Sequence, residues 1–218
     1  MFFINNNESC YQKVKPVLIL LVLILIPIAD ANDILRGKEI ATTQCISCHG
    51  TDGNSPDSMY PKLAGQHFGY LQKQLLDYKP NNRGEIIRKN QIMQGFAANL
   101  TDEDINAVSK YYASQTLKPE TAKNKNLKPI AEKLFRGGDF KRDIPSCTGC
   151  HGPAGAGIPT IYPAIAGQYS QYTKSALLAY RNGERDLENS SMRTIAKYLT
   201  DLEIEALADY LAGMRTDF

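Results

Sequence analysis

Apolar positions near the end of the chain fall on one face of a helix: Ile204, Leu207, Ala208 and Leu211 recur at i, i+3, i+4 and i+7. Thr200, followed three residues later by Glu203, makes a capping box at its start. The same offsets return in the middle of the chain, where Thr101 is the cap and Ile105, Val108, Ser109 and Tyr112 form the stripe. Helical periodicity also predicts elements over Asp33 to Gln44 and Gly69 to Lys79, with later counterparts at about Pro129 to Arg136 and Gln171 to Arg181. No period-two run of useful length interrupts them, so the fold class is all-α.

These paired helices are parts of a duplication. Tyr60-Pro61-Lys62-Leu63-Ala64-Gly65-Gln66 returns as Tyr162-Pro163-Ala164-Ile165-Ala166-Gly167-Gln168, displaced by 102 residues, and Tyr70, Leu75, Leu76 and Tyr78 line up with Tyr172, Leu177, Leu178 and Tyr180. Three residues are then lost in the second copy, after which Asn90, Met93 and Thr101 match Asn189, Met192 and Thr200. A period this long indicates a duplicated domain, since solenoid repeats run to about 20–50 residues. The polar, lysine-rich stretch 116–128 has no apolar period and reads as a linker between domains at 32–115 and 129–218. The second copy carries a longer insert from Gly138 to Ser146. Domains this small build little core from side chains alone, so a buried cofactor has to supply much of the apolar filling.

The candidate chemistry lies inside that repeat. Cys45-Ile46-Ser47-Cys48-His49 and Cys147-Thr148-Gly149-Cys150-His151 each have the Cys-x-x-Cys-His spacing by which c-type haem is attached. Two intervening residues let both thiols reach the vinyl groups on one porphyrin edge, and the adjoining histidine becomes the proximal iron ligand. Zinc would require one pair to meet the other, whereas each pair here has its own histidine and its own copy of the downstream sequence. Two covalently bound haem c groups are therefore expected.

The sixth ligand decides what such irons do. A methionine in a small helical domain is by default core filler, but Met93 and Met192 occupy matching places after matching motifs, whereas Met59 and Met214 map onto Ile161 and Gln115. The expected axial pairs are His49 with Met93 and His151 with Met192. Of the 3 histidines, only His67 is then left over; it cannot serve two irons and reads as a partly exposed side chain. Pro61 and Pro163 follow the haem histidines by 12 residues. They are either plain turn prolines or supply carbonyls that accept a hydrogen bond from the far ring nitrogen.

Residues 1–31 read as a secretory signal: Lys13 and Lys15 precede the apolar run Val17 to Ala29, and Ala29-Asp30-Ala31 resembles a cleavage site. An uncleaved anchor is the alternative. Cys10 precedes the apolar run, so removal of the leader leaves four of the 5 cysteines, all inside haem motifs. Export places the protein in the periplasm. A formal net charge of +2 is too small to indicate nucleic-acid binding.

The motifs CISCHGTDGNS and CTGCHGPAGAG, the two YPxxAGQ segments, LFRGGDFKRDIPSC and the closing MRTIAKYLTDLEIEALADYL resemble the c4-type di-haem cytochromes c, built from two class I cytochrome c domains. The resemblance covers nearly all of the chain beyond the leader. It implies a periplasmic electron carrier, loosely associated with the inner membrane or free of it, that links a quinol–cytochrome c reductase to a terminal oxidase. It also implies two haems packed across a pseudo-twofold interface. One departure is Phe96, where the family's first domain often has a second methionine. The alternative function is the electron-accepting subunit of a flavocytochrome-type dehydrogenase, such as one oxidising sulfide. A di-haem enzyme is disfavoured, because it needs an exchangeable ligand. No small-molecule substrate and no enzyme activity are expected.

Overall fold

The computed structural model describes residues 31–185 and 190–216. Most of the expected leader, and Asn189 in the expected repeat, lie outside the described residues. Among those described no strand occurs; two isolated bridges, Asp139 with Ile144 and Ile158 with Tyr162, pin loops. No helix among them is long and apolar enough to cross a membrane.

The first repeat opens on helix α1 (31–40), which continues through a π-helical turn at Ala41–Cys45 into a last turn at Ile46–His49. Then follow α2 (Phe68–Asp77), α3 (Gln91–Ala98) and α4 (Asp102–Ala113). The second repeat has α5 (Lys128–Gly137), α6 (Thr148–His151), α7 (Ser170–Arg181), α8 (Ser191–Ala196) and α9 (Asp201–Gly213). The closing helices α4 and α9 both start on capping boxes, Thr101 with Asp104 and Thr200 with Glu203, so orphan amides at each start are satisfied. Their apolar stripes are the cores. Ile105 and Val108 pack with Ile40, Leu71 and Leu100 in the first repeat, while Ile204, Leu207 and Leu211 pack with Leu134, Phe135 and Leu177 in the second. Helix α1 approaches α4 closely enough that a Cβ on Gly37 would stand 2.1 Å from the Ala107 carbonyl oxygen.

Periodicity did not reveal α3 and α8. They are 8 and 6 residues long, too short to display a 3.6-residue repeat, and capping side chains define them instead. The Asn90 side chain accepts from the Met93 amide at 3.0 Å, and the Ser190 side chain from the Arg193 amide at 3.3 Å. The insert of the second repeat folds into a short 3₁₀ turn at Phe140–Arg142. Arg142 fastens it with bonds to Asp139 at 2.8 Å and to the capping residue Glu203 at 2.6 Å.

The stretch 116–128 is a strap pinned to both repeats. Asn54 accepts from the Lys118 amide at 2.7 Å, and Lys118 Nζ meets Asp52 at 2.7 Å. Farther on, the buried Asp209 carboxylate accepts from the amides of Lys123 and Asn124 at 2.7 and 3.0 Å. Between the repeats the bonds are reciprocal. Gln66 pairs with the backbone of Ala164 and Gln168 with the backbone of Lys62, while His67 Nε2 donates to Ala156 O at 2.8 Å and Tyr169 OH to Ser55 O at 2.6 Å. His67 is partly exposed, as expected, and is also a link between the repeats.

Candidate functional site

Each Cys-x-x-Cys-His motif occupies about one helical turn. Positions i, i+3 and i+4 share a face of a helix, so both cysteines and the histidine are presented together. Gly50 and Gly152 end these turns with φ of 73° and 74°, and their amides reach back to Ile46 O and Thr148 O at 3.0 Å each. At Gly50 a side chain would also meet the Asn54 carbonyl at 2.8 Å. The polypeptide therefore turns away immediately after the histidine, leaving the ring facing the cavity.

That cavity has a volume of about 850 Å³ and runs through both repeats. Its walls include all four motif cysteines, both motif histidines, Met93 and Met192. His67 and Met214 are not among its lining residues; Met59 is, at the exposed rim. His49 and His151 are each 7% exposed, and burial holds both imidazoles below the usual histidine value. The neutral ring is the form that binds a metal. His49 Nδ1 lies 3.0 Å from Pro61 O and His151 Nδ1 3.0 Å from Pro163 O. A carbonyl only accepts, so Nδ1 carries the proton in both rings and Nε2 is left with its lone pair. Burial also pushes the Cys147 thiol up to about 11 and the Cys45 thiol in the same direction, so both stay protonated.

The cavity wall between the repeats is cationic, which the sequence reading missed. Arg88 and Arg185 sit between the repeats. Arg185 donates to Tyr70 OH at 3.0 Å and to Tyr172 OH at 3.3 Å, and Arg88 donates to Tyr172 OH at 3.2 Å and to Gln74. The two guanidinium groups lie over the rings of Tyr78 and Tyr180 at 4.8 and 4.6 Å. Among the described residues neither meets a carboxylate, and the buried Arg185 Nε has no partner. Buried charges are ordinarily paired, and two unpaired cations facing one cavity call for anions inside it. A haem in each repeat brings propionate carboxylates, so the residues present fit the cofactor that the motifs imply. Two more buried hydroxyls, of Ser109 and of Tyr112 beside the Cys45 thiol, face the cavity in the first repeat. The matching places in the second repeat are Ala208 and Leu211.

Known proteins resemble this chain along most of its length. The family profile described as cytochrome c matches residues 34–116 and again 136–215. Cytochrome c4 of Pseudomonas aeruginosa is 39% identical over 187 residues, 84% of this chain and 90% of that protein. A thiosulfate dehydrogenase electron acceptor of Stutzerimonas stutzeri is 33% identical over 213 residues, 95% of this chain and 96% of that protein. The crystal structure of reduced recombinant cytochrome c4 from Pseudomonas stutzeri superposes with a TM-score of 0.75 at 37% identity, covering 84% of this chain and 98% of that one.

Proposed function

The chain belongs to the cytochrome c family, with two such domains, and from that premise we propose a periplasmic carrier between a quinol-oxidising respiratory complex and a terminal oxidase or other acceptor. It is a di-haem electron-transfer protein with two covalently bound haem c groups. Each bound haem supplies an iron that alternates between ferric and ferrous states. The remaining work falls to the polypeptide, organised as domains 32–115 and 129–218 joined by 116–128, with 1–31 as the export signal.

Cys45 and Cys48 hold the first haem and Cys147 and Cys150 the second. His49 and Met93 would hold the first iron, His151 and Met192 the second. Pro61 and Pro163 fix the proximal rings by accepting from Nδ1, and Arg88 with Arg185 neutralises carboxylates at the interface. Held by an imidazole and a thioether, neither iron would have a place for a substrate, so no bond-making chemistry is assigned to the protein. Thioether ligation also places both potentials higher than bis-histidine ligation would. The observation that carries this reading is that both histidines and both methionines face one continuous cavity.

A second reading has support in the relative named as a thiosulfate dehydrogenase electron acceptor: this chain would take electrons from a dehydrogenase, whether of that kind or a flavocytochrome oxidising sulfide. Reconstitution separates the two. A respiratory carrier is reduced by a quinol–cytochrome c reductase and re-oxidised by a terminal oxidase, with two electrons passed per chain. Failure of that cycle, together with stoichiometric co-purification with a dehydrogenase that reduces it rapidly, would favour the second.

A further inference from the structure

We propose that each repeat tunes the proximal histidine of the other through one peptide group and one glutamine. The inference rests on His49 and His151 ligating iron through Nε2, as assigned above. In the first repeat His49 Nδ1–H donates to Pro61 O at 3.0 Å. That carbonyl belongs to the same peptide unit as the Lys62 amide, which donates at 2.9 Å to Oε1 of Gln168, in the second repeat. The mirror chain runs from His151 Nδ1–H to Pro163 O at 3.0 Å, and from the Ala164 amide to Oε1 of Gln66 at 2.9 Å. The two chains cross the interface in opposite directions.

The glutamine orientations are dictated by their surroundings. Gln168 Oε1 also accepts from the Tyr169 amide at 3.0 Å, while its Nε2 donates to Lys62 O at 2.9 Å. Gln66 Oε1 accepts from the His67 amide at 2.9 Å, and its Nε2 donates to Ala164 O at 2.8 Å. An oxygen facing two N–H groups and a nitrogen facing a carbonyl leave no freedom to flip. The same geometry explains why YPxxAGQ keeps its glutamine in both copies while Lys62-Leu63 becomes Ala164-Ile165. Positions 62 and 164 enter the relay through backbone atoms alone.

Chained hydrogen bonds polarise one another, by roughly 10–30% per bond. A peptide whose N–H donates has a more negative carbonyl oxygen, which draws the histidine Nδ1 proton more strongly. The ring then becomes a more basic ligand and favours the ferric state, which lowers the midpoint potential. Gln66 and Gln168 are in this sense positioning residues for the opposite repeat's histidine.

The test is potentiometric titration of the full holoprotein with single leucine replacements. Met93→His and Met192→His, each of which lowers one midpoint by removing a thioether ligand, identify which wave belongs to which repeat. Gln168→Leu should raise the midpoint of the first repeat's haem and leave the second in place; Gln66→Leu should do the converse. The hyperfine-shifted ring N–H resonance of the affected histidine should move with it. A role confined to holding the repeats together would shift both waves in both variants, and that result, an own-repeat shift or no shift at all overturns the relay. If a leucine variant does not fold, Gln168→Glu retains the accepting oxygen and should lower the first repeat's midpoint; an unchanged or raised value is equally contradictory. If the histidine markers move neither wave, the ligand assignment has failed, and the relay fails with it for that separate reason.

Discussion

The interface arginines, Arg185 buried and Arg88 half-buried, show how a residue can carry function without a motif. Neither displacement of the repeat pairs Arg88 with Arg185, and the nearby Arg83 side chain is 82% exposed beside Glu85 while Arg88 occupies the interface. Arginine is ordinarily a surface residue, so only their place in the cavity wall distinguishes Arg88 and Arg185 from the other arginines. The cysteines and histidines were legible because a single helical turn both spaces and presents them. Arg185→Gln would remove the cation proposed to meet a haem propionate. It should lower at least one haem midpoint and destabilise the holoprotein by about 3–5 kcal/mol. Potentiometry and denaturant unfolding measure the two effects, and unchanged midpoints would remove the arginine from the site.

Among the helices, long amphipathic elements announced themselves and short capped ones did not. The ends of α4 and α9 were readable from Thr101 and Thr200, whose replacement by Ala should each cost about 1 kcal/mol of stability in denaturant titration. Helices α3 and α8 carry the methionines, but their starts rest on Asn90 and Ser190, residues that are equally at home in any turn. The strap was legible as a linker from its composition, though its pinning was not. Lys118 lowers the Asp52 carboxyl from an ordinary 3.8 to about 2. Because the folded state prefers the ionised form, this contact stabilises fully above about pH 4 and is lost as pH falls toward 2. Asp52→Asn should remove that part of the acid dependence, read as the change in thermal midpoint across the window.

At the scale of the molecule, the duplication was plain from two registers of matching residues, whereas the interface was not, because Gln66, Gln168 and His67 look like ordinary polar residues until both repeats are seen together. The two sites are also unlike. Ser109 and Tyr112 give the first cavity two hydroxyls where the second has Ala208 and Leu211, and the insert 138–146 enlarges only the second repeat. Titration of the whole protein should therefore give two separate midpoints; a single Nernst curve with identical values would contradict this. The central claim is that both irons are closed by histidine and methionine and so pass electrons without binding a reactant. Optical spectroscopy of the oxidised holoprotein reads it most directly, through the weak far-red charge-transfer band of methionine bound to ferric haem. Two sites' worth of that band, halved in Met93→Ala and halved likewise in Met192→Ala, is the result predicted; a band of full strength in both variants, or none in the unaltered protein, would contradict it.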